Sequence, residues 1–304
     1  MAEYVETVEN FVSTYKNKGC TVYFRGESKD YGESALVPSI FRDGLYKKED
    51  VFYKEIMRFN DKYFEQDKTT IDHLSRMQHM VCATRMLDLS EDCFTSLYFA
   101  LEEDSCEAGC VYLFVISTEK IKYYDSDTVA VLANLVKLPF SEEDGEAPYG
   151  NKSKTRLVKN AEEIINSGLL PKEYNKKFFD YLLHHIKEDK PHAQDLICLG
   201  DIFSVQCVKT KLNTDRIRLQ KGAFLLFGLN VHNPAKAIPL DGSYKKPGFW
   251  RDSFQWTGMP IEKILKIKIQ KGLSLEVLEK FGISKPYIYP EMKEVNDYLR
   301  ERYK

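Results

Sequence analysis

The 304 residues are 43% hydrophobic and 30% charged, a balance that supports a packed core and excludes a disordered chain. Forty-four Lys and Arg against 46 Asp and Glu leave a net charge of −2, which argues against non-specific nucleic-acid binding, because that needs a clearly basic surface. No stretch approaches the roughly 18 apolar residues of a membrane helix, and the acidic, amphipathic start MAEYVETVENF does not read as a secretory leader.

In chain order, Val5, Val8, Phe11, Val12 and Tyr15 recur at helical spacing and predict a helix over 1–18, with Gly19 as its stop. Cys20 to Phe24 is a short strand pattern, ended by Arg25 and Gly26. Glu49 to Phe64 carries a wide apolar face and predicts a long helix. Thr70 to Gln78 predicts a shorter one, with Thr70 as a candidate N-cap. Asp92 to Leu101 is a third, with Phe94, Leu97, Tyr98 and Leu101 on one side. Gly109 to Ile116 is almost wholly apolar and reads as a central strand. Helical spacing returns over 126–138, 161–167 and 171–187, and the polar, acidic run 141–153 between them reads as a loop.

The second half is richer in strands. Phe203 to Val208, Gly222 to Gly228 and Ile261 to Ile269 all read as β, the last alternating Ile with Lys. Arg216, Arg218 and Gln220 alternate as if along a strand leading into the second of these. Leu273 to Phe281 and Glu291 to Tyr303 predict terminal helices, the first closed by Gly282. Helices interrupt the strands without regular alternation, so the fold class is α+β.

The seven cysteines are odd in number and irregularly spaced, which fits reduced thiols in a cytoplasm better than a disulfide framework. The six histidines show no ligand spacing with acidic residues, and no metal site is expected. The chain contains no GxxxxGK[ST], no GxGxxG after a strand, no HExxH and no GxSxG.

Three segments concentrate chemistry. At Phe24-Arg25-Gly26-Glu27 a buried strand delivers an arginine fork suited to a phosphate or carboxylate. Gly26 there allows a tight turn or the close approach of a ligand, and Glu27 is free to take part or to pair with Arg25. Gln78 to Asp88 sets His79, Arg85 and Asp88 among apolar neighbours. His79 is a natural acid or base near neutral pH. Arg85 and Asp88, three apart, are expected to pair, because buried charges need partners. Arg216 to Phe224 offers Gln220, whose carboxamide can grip a ribose or an amide, or simply face water from an edge strand.

These segments, in this order, resemble the FRG domain family, named for its Phe-Arg-Gly motif. The motif stands here as Phe24-Arg25-Gly26, followed by Pro38-Ser39-Ile40-Phe41-Arg42. The middle signature is similar to Gln78-His79-Met80-Val81-Cys82-Ala83-Thr84-Arg85-Met86-Leu87-Asp88 with Ser96-Leu97-Tyr98-Phe99-Ala100 after it, except that Met80-Val81 replaces the family's Tyr-Gly. Gln220-Lys221-Gly222-Ala223-Phe224, Gly282-Ile283-Ser284 and Tyr289-Pro290 complete the match. The resemblance implies one FRG-type domain over 1–304, with an N-terminal helix, a helical and acidic-loop insertion around 139–200, and C-terminal helices.

The family in turn distantly resembles the ADP-ribosyltransferase fold, which implies mixed twisted sheets with surrounding helices and NAD in a cleft between them. On that resemblance Arg25 and Gly26 hold the dinucleotide, with Thr84 and Arg85 at the second position, and His79 shapes the pocket. Gln220 stands where the catalytic glutamate would be, and a carboxamide cannot carry the negative charge that stabilises a developing cation. Glu27 is the candidate substitute. The resemblance thus implies a nucleotide-binding protein with NAD as cofactor and ADP-ribosyltransferase or NAD-cleaving activity. The alternative is a non-catalytic module that recognises a nucleotide or protein partner in bacterial stress or phage defence. A nucleic-acid reading rests only on Arg216, Arg218 and Lys221.

Overall fold

A computed structural model of the chain describes residues 1–42, 44–103, 108–140, 153–167, 169–195, 197–212, 215–220, 222–229, 260–269 and 274–303. The acidic loop expected at 141–153 therefore lies outside the described residues except for Ser153, as does Lys221. In chain order the elements are α1 (Ala2–Lys16), β1 (Cys20–Glu27), α2 (Glu49–Phe59), α3 (Asp61–Phe64), α4 (Thr70–His79), β2 (Met86–Ser90), α5 (Cys93–Leu101), β3 (Cys110–Ser117), β4 (Lys122–Tyr123) and α6 (Asp127–Asn134). There follow α7 (Lys154–Ser167), α8 (Pro171–Phe178), α9 (Asp180–Asp189), α10 (Leu199–Ile202), β5 (Val205–Lys209), α11 (Asp215–Leu219), β6 (Gly222–Phe227), β7 (Ile261–Lys268), α12 (Leu275–Glu279), α13 (Lys285–Ile288) and α14 (Met292–Arg302).

The fold is α+β, a curled seven-stranded sheet in the order β4-β5-β6-β2-β1-β3-β7 with helices around it. All pairs are antiparallel except β4 with β5. The ladders are unequal. β1 matches β3 along its whole length, from Cys20↔Ser117 to Glu27↔Cys110, and β2 matches β6 from Met86↔Leu226 to Ser90↔Gly222. β1 and β2 share the single register pair Phe24↔Ser90. The sheet is thus two well-knit ladders hinged at one bridge, and the Arg-Gly-Glu end of β1 lies just beyond that hinge.

Strand alternation sorts the core into three parts. Val22 and Phe24 of β1 join Val111, Leu113 and Val115 of β3 beneath α1, α5 and α12. Met86, Phe224 and Leu226 pack with α4, α6 and the helices of 154–202. On the opposite face Tyr23, Leu87, Leu89, Tyr112, Phe114, Ala223, Leu225 and Phe227 fill the inside of the curl. Every residue of β3 is buried, as its apolar run predicts.

Four sequence expectations change. The helix expected over 49–64 is broken at Asn60, and the one over 171–187 at Phe179. Thr69, not Thr70, caps α4, accepting the Asp72 amide at 3.4 Å. The alternation Arg216, Arg218, Gln220 does not lie on a strand. Its first residues form the short helix α11, which turns Ile217 inward and leaves Arg218 exposed, donating to the Leu212 carbonyl at 3.0 Å. None of the helices among the described residues is long and apolar enough to cross a membrane. Their six cysteines are all free thiols.

Candidate functional site

β1 does not stop at Phe24 but runs through Glu27, so Arg25 sits inside a ladder, opposite Tyr112. Gly26 is needed there for packing. A Cβ on it would lie 1.8 Å from the Ser96 carbonyl oxygen and 2.9 Å from the Ala100 nitrogen. The backbone of α5 rests directly on the strand, so the glycine admits a helix rather than a turn. Arg25 and Glu27 share the other face. Arg25 Nε lies 3.3 Å from Glu27 Oε1, and Nη1 donates to the Asp88 carbonyl at 3.1 Å and sits 3.8 Å from Asp88 Oδ2. Glu27 is 5% exposed. Its Oε1 also accepts the amide of Leu36, a residue at φ +59°. Its Oε2 makes no hydrogen bond.

The segment Gln78–Asp88 begins at the C-terminus of α4. The Cys82 amide donates to the Met77 carbonyl at 2.9 Å, and the Val81 amide to the Gln78 carbonyl at 3.1 Å. Those two bonds form the left-handed C-cap that normally carries glycine, and Val81 holds it at φ +59°. Gly282 closes α12 in the same way at φ +82°, with Ile283 donating to Leu278. The backbone geometry favours glycine here, and this chain puts a β-branched residue where glycine is unstrained.

Beyond the turn the segment splits. Thr84 is buried, donates to Gln78 Oε1, and accepts the Met86 amide at 3.0 Å. Arg85 is 1% exposed. It donates to both oxygens of Glu49 and, at 2.8 Å, to the Phe227 carbonyl. Lys154 completes this buried group, 2.6 Å from Glu49 Oε2. Burial works to raise the Glu49 carboxyl, but the two cations hold it below its usual range. Burial pushes the Lys154 ammonium down. The Arg85–Asp88 pair expected from helical spacing is absent, because the segment is extended and residues three apart point to opposite faces.

Asp88 faces outward instead, its side chain 53% exposed, and accepts Gln78 Nε2 at 2.6 Å. Here a small depression, with a cavity of about 20 Å³ that opens to solvent, lies between the end of α4, the β2–β6 ladder and α11. Its polar wall is Gln78, His79, Asp88 and Gln220, and its apolar wall includes Leu89, Ile217 and Phe224. His79 and Gln220 thus share one pocket. Arg25 reaches its rim through Asp88, and Glu27 and Gly26 follow along β1. Thr84 stands behind Gln78, and Arg85 lies on the far side with Glu49.

Gln220 is held at both ends. Its carbonyl accepts Ser90 Oγ at 2.6 Å, and its Nε2 donates to the Ile288 carbonyl at 3.1 Å. Glu291 Oε1 lies 3.6 Å from His79 Nε2. Sequence reasoning missed Gln78 and Asp88 as pocket walls, although strand alternation in β2 separates Asp88 from Leu87 and Leu89. It also missed Glu291, for which no motif gives a signal. Away from this pocket, His184, His185 and Glu188 bring ligand atoms within 4.8 Å of one another, a convergence the spacing did not suggest. The Lys137 ammonium lies 3.0 Å from Glu188 Oε2 and competes for that carboxylate.

Residues 20–108 match the model of the FRG domain family. No curated protein and no solved structure matches the chain. The matched span holds Arg25, Gly26, Glu27, His79, Thr84, Arg85 and Asp88, whereas Gln220 and Glu291 come from later in the chain. The chain therefore carries an FRG domain region at residues 20–108.

Proposed function

We propose that this protein binds a nucleotide, with NAD as the first candidate, in the pocket between α4, the β2–β6 ladder and α11. One observation carries the reading: His79 and Gln220, from two motifs far apart in sequence, line a single pocket with Gln78 and Asp88. Carboxamide, carboxylate and imidazole groups beside Phe224 and Leu89 suit a ligand with a flat ring and hydroxyls on one body. Arg25, at the hinge where β1 and β2 part, lies 3.8 Å from the Asp88 carboxylate of this wall and offers a cation for a phosphate.

The states of the candidate acids favour binding without turnover. Glu27 is neutralised by Arg25 and spends one oxygen on the Leu36 amide. Gln220 carries no charge and gives its amide to Ile288. A second, catalytic reading is favoured by Asp88, a half-exposed carboxylate on the pocket wall that can face a developing cation. Calorimetric titration of NAD and ADP-ribose, repeated on Arg25→Ala/Gln220→Ala, tests the binding reading. Equal affinity in the parent and the double variant sinks it. Release of nicotinamide from labelled NAD, abolished by Asp88→Asn, decides for catalysis.

A further inference from the structure

The segment from Lys285 to Glu291 lies outside the matched FRG region, yet it holds the pocket's two principal polar residues. Ile288, fully buried, anchors it in the core beside Leu278 and Ile283. Tyr287 Oη donates to the Leu219 carbonyl at 3.1 Å, fixing the end of α11. The next carbonyl along, that of Ile288, accepts Gln220 Nε2 at 3.1 Å. Three residues further, Glu291 Oε1 stands 3.6 Å from His79 Nε2. Its second oxygen, Oε2, is shielded from solvent and makes no hydrogen bond. A carboxylate with one oxygen shielded and unpaired is costly unless a second group holds it there. The imidazole of His79 faces the other oxygen, Oε1, at ion-pair distance.

We propose that Glu291 is a positioning residue of the candidate site: it sets the His79 ring, while the Ile288 carbonyl sets Gln220, so that residues 285–291 stand behind two of the pocket's lining residues and tune its ligand selectivity. The inference rests on the nucleotide reading for the ligand, but not for the geometry. It places a determinant of binding beyond residues 20–108, the span that the family model matches.

Glu291→Gln, Glu291→Asp and Tyr287→Phe test it. Carbethoxylation of His79, followed by peptide mass spectrometry, reads the imidazole with no ligand present. The ring C–H signal of His79 in a two-dimensional NMR spectrum reads its orientation. With Glu291→Gln the melting temperature is expected to stay close to the parent's, since the side chain is 38% exposed. His79 is then labelled several-fold faster and its ring signal shifts. NAD affinity falls about two- to five-fold, the size of one lost, partly exposed ion pair. Glu291→Asp restores part of each effect, and Tyr287→Phe moves the labelling rate in the same direction by less. Unchanged labelling and an unchanged ring signal in Glu291→Gln overturn the proposal. If the parent binds no NAD, the nucleotide reading fails, and the labelling rate alone decides the role of Glu291.

Discussion

Two parts of one eleven-residue signature behave differently. Gln78, His79 and Asp88 stand at a pocket open to solvent, and Asp88 is 53% exposed. Thr84 and Arg85, only a few residues away, are each 1% exposed and spend their polar atoms inside the protein. Arg85 joins α2, the end of β6 and, through Glu49, the start of α7. A motif of this kind is partly an anchor and partly a site. Burial and hydrogen-bond partners tell the two apart where sequence cannot.

The contrast can be broken from its anchored side first. Arg85→Met leaves Glu49 buried with Lys154 alone and strips the Phe227 carbonyl of its donor. It is expected to cost about 3–5 kcal/mol, read as a large drop in melting temperature. Gly26→Ala drives a methyl into the backbone of α5 and costs about 3 kcal/mol, the upper end of overpacking, in the same melt.

Changes on the open side are smaller in stability. Val81→Gly relieves a β-branched residue held in the left-handed region and is expected to stabilise by about 1 kcal/mol, checked by chemical denaturation. Gly282→Val is its mirror and destabilises by a similar amount. His79→Ala is expected to leave the melting temperature nearly unchanged and, on the proposed nucleotide reading, to remove NAD binding, which separates site from anchor within one signature.

The smallest effect is electrostatic. A hydrogen bond from Lys266, helped by the Gly32 amide and Lys268, holds the Asp30 carboxyl down to about 2, below its ordinary 3.8. A carboxyl depressed on folding contributes stability that is present above its unfolded value and lost as pH falls through its folded value. The contribution of Asp30 is therefore full above roughly pH 4 and fades toward pH 2. Asp30→Asn removes that part of the slope in a plot of melting temperature against pH, a small change because the group is exposed to solvent.

Much of the sheet was legible from residue patterns. The apolar runs at Gly109–Ile116 and Gly222–Gly228 and the Ile–Lys alternation after Ile261 each became a strand where expected. β2 was not legible, because its five residues follow the mostly apolar stretch Met80–Arg85 without a turn signal, and Arg85 and Asp88 at a spacing of three read equally well as a helix. That one omission produced the mistaken Arg85–Asp88 pair. The true partner, Glu49, is brought in by tertiary packing, and Lys154 comes from the start of α7. No local spacing announces either. At α11 the alternating arginines imitated a strand, and the burial of Ile217 against the core decided for a helical turn. The departure at Val81 was visible as a missing glycine, but its meaning, a left-handed helix cap, needed the backbone.

The most direct test is calorimetric titration of NAD into the parent protein and into His79→Ala, with Val81→Gly as a folded control. Binding in the parent and in Val81→Gly, and none in His79→Ala with its melting temperature intact, is the result expected of a nucleotide pocket at the end of α4. Equal binding in all three, or no binding in the parent, contradicts it.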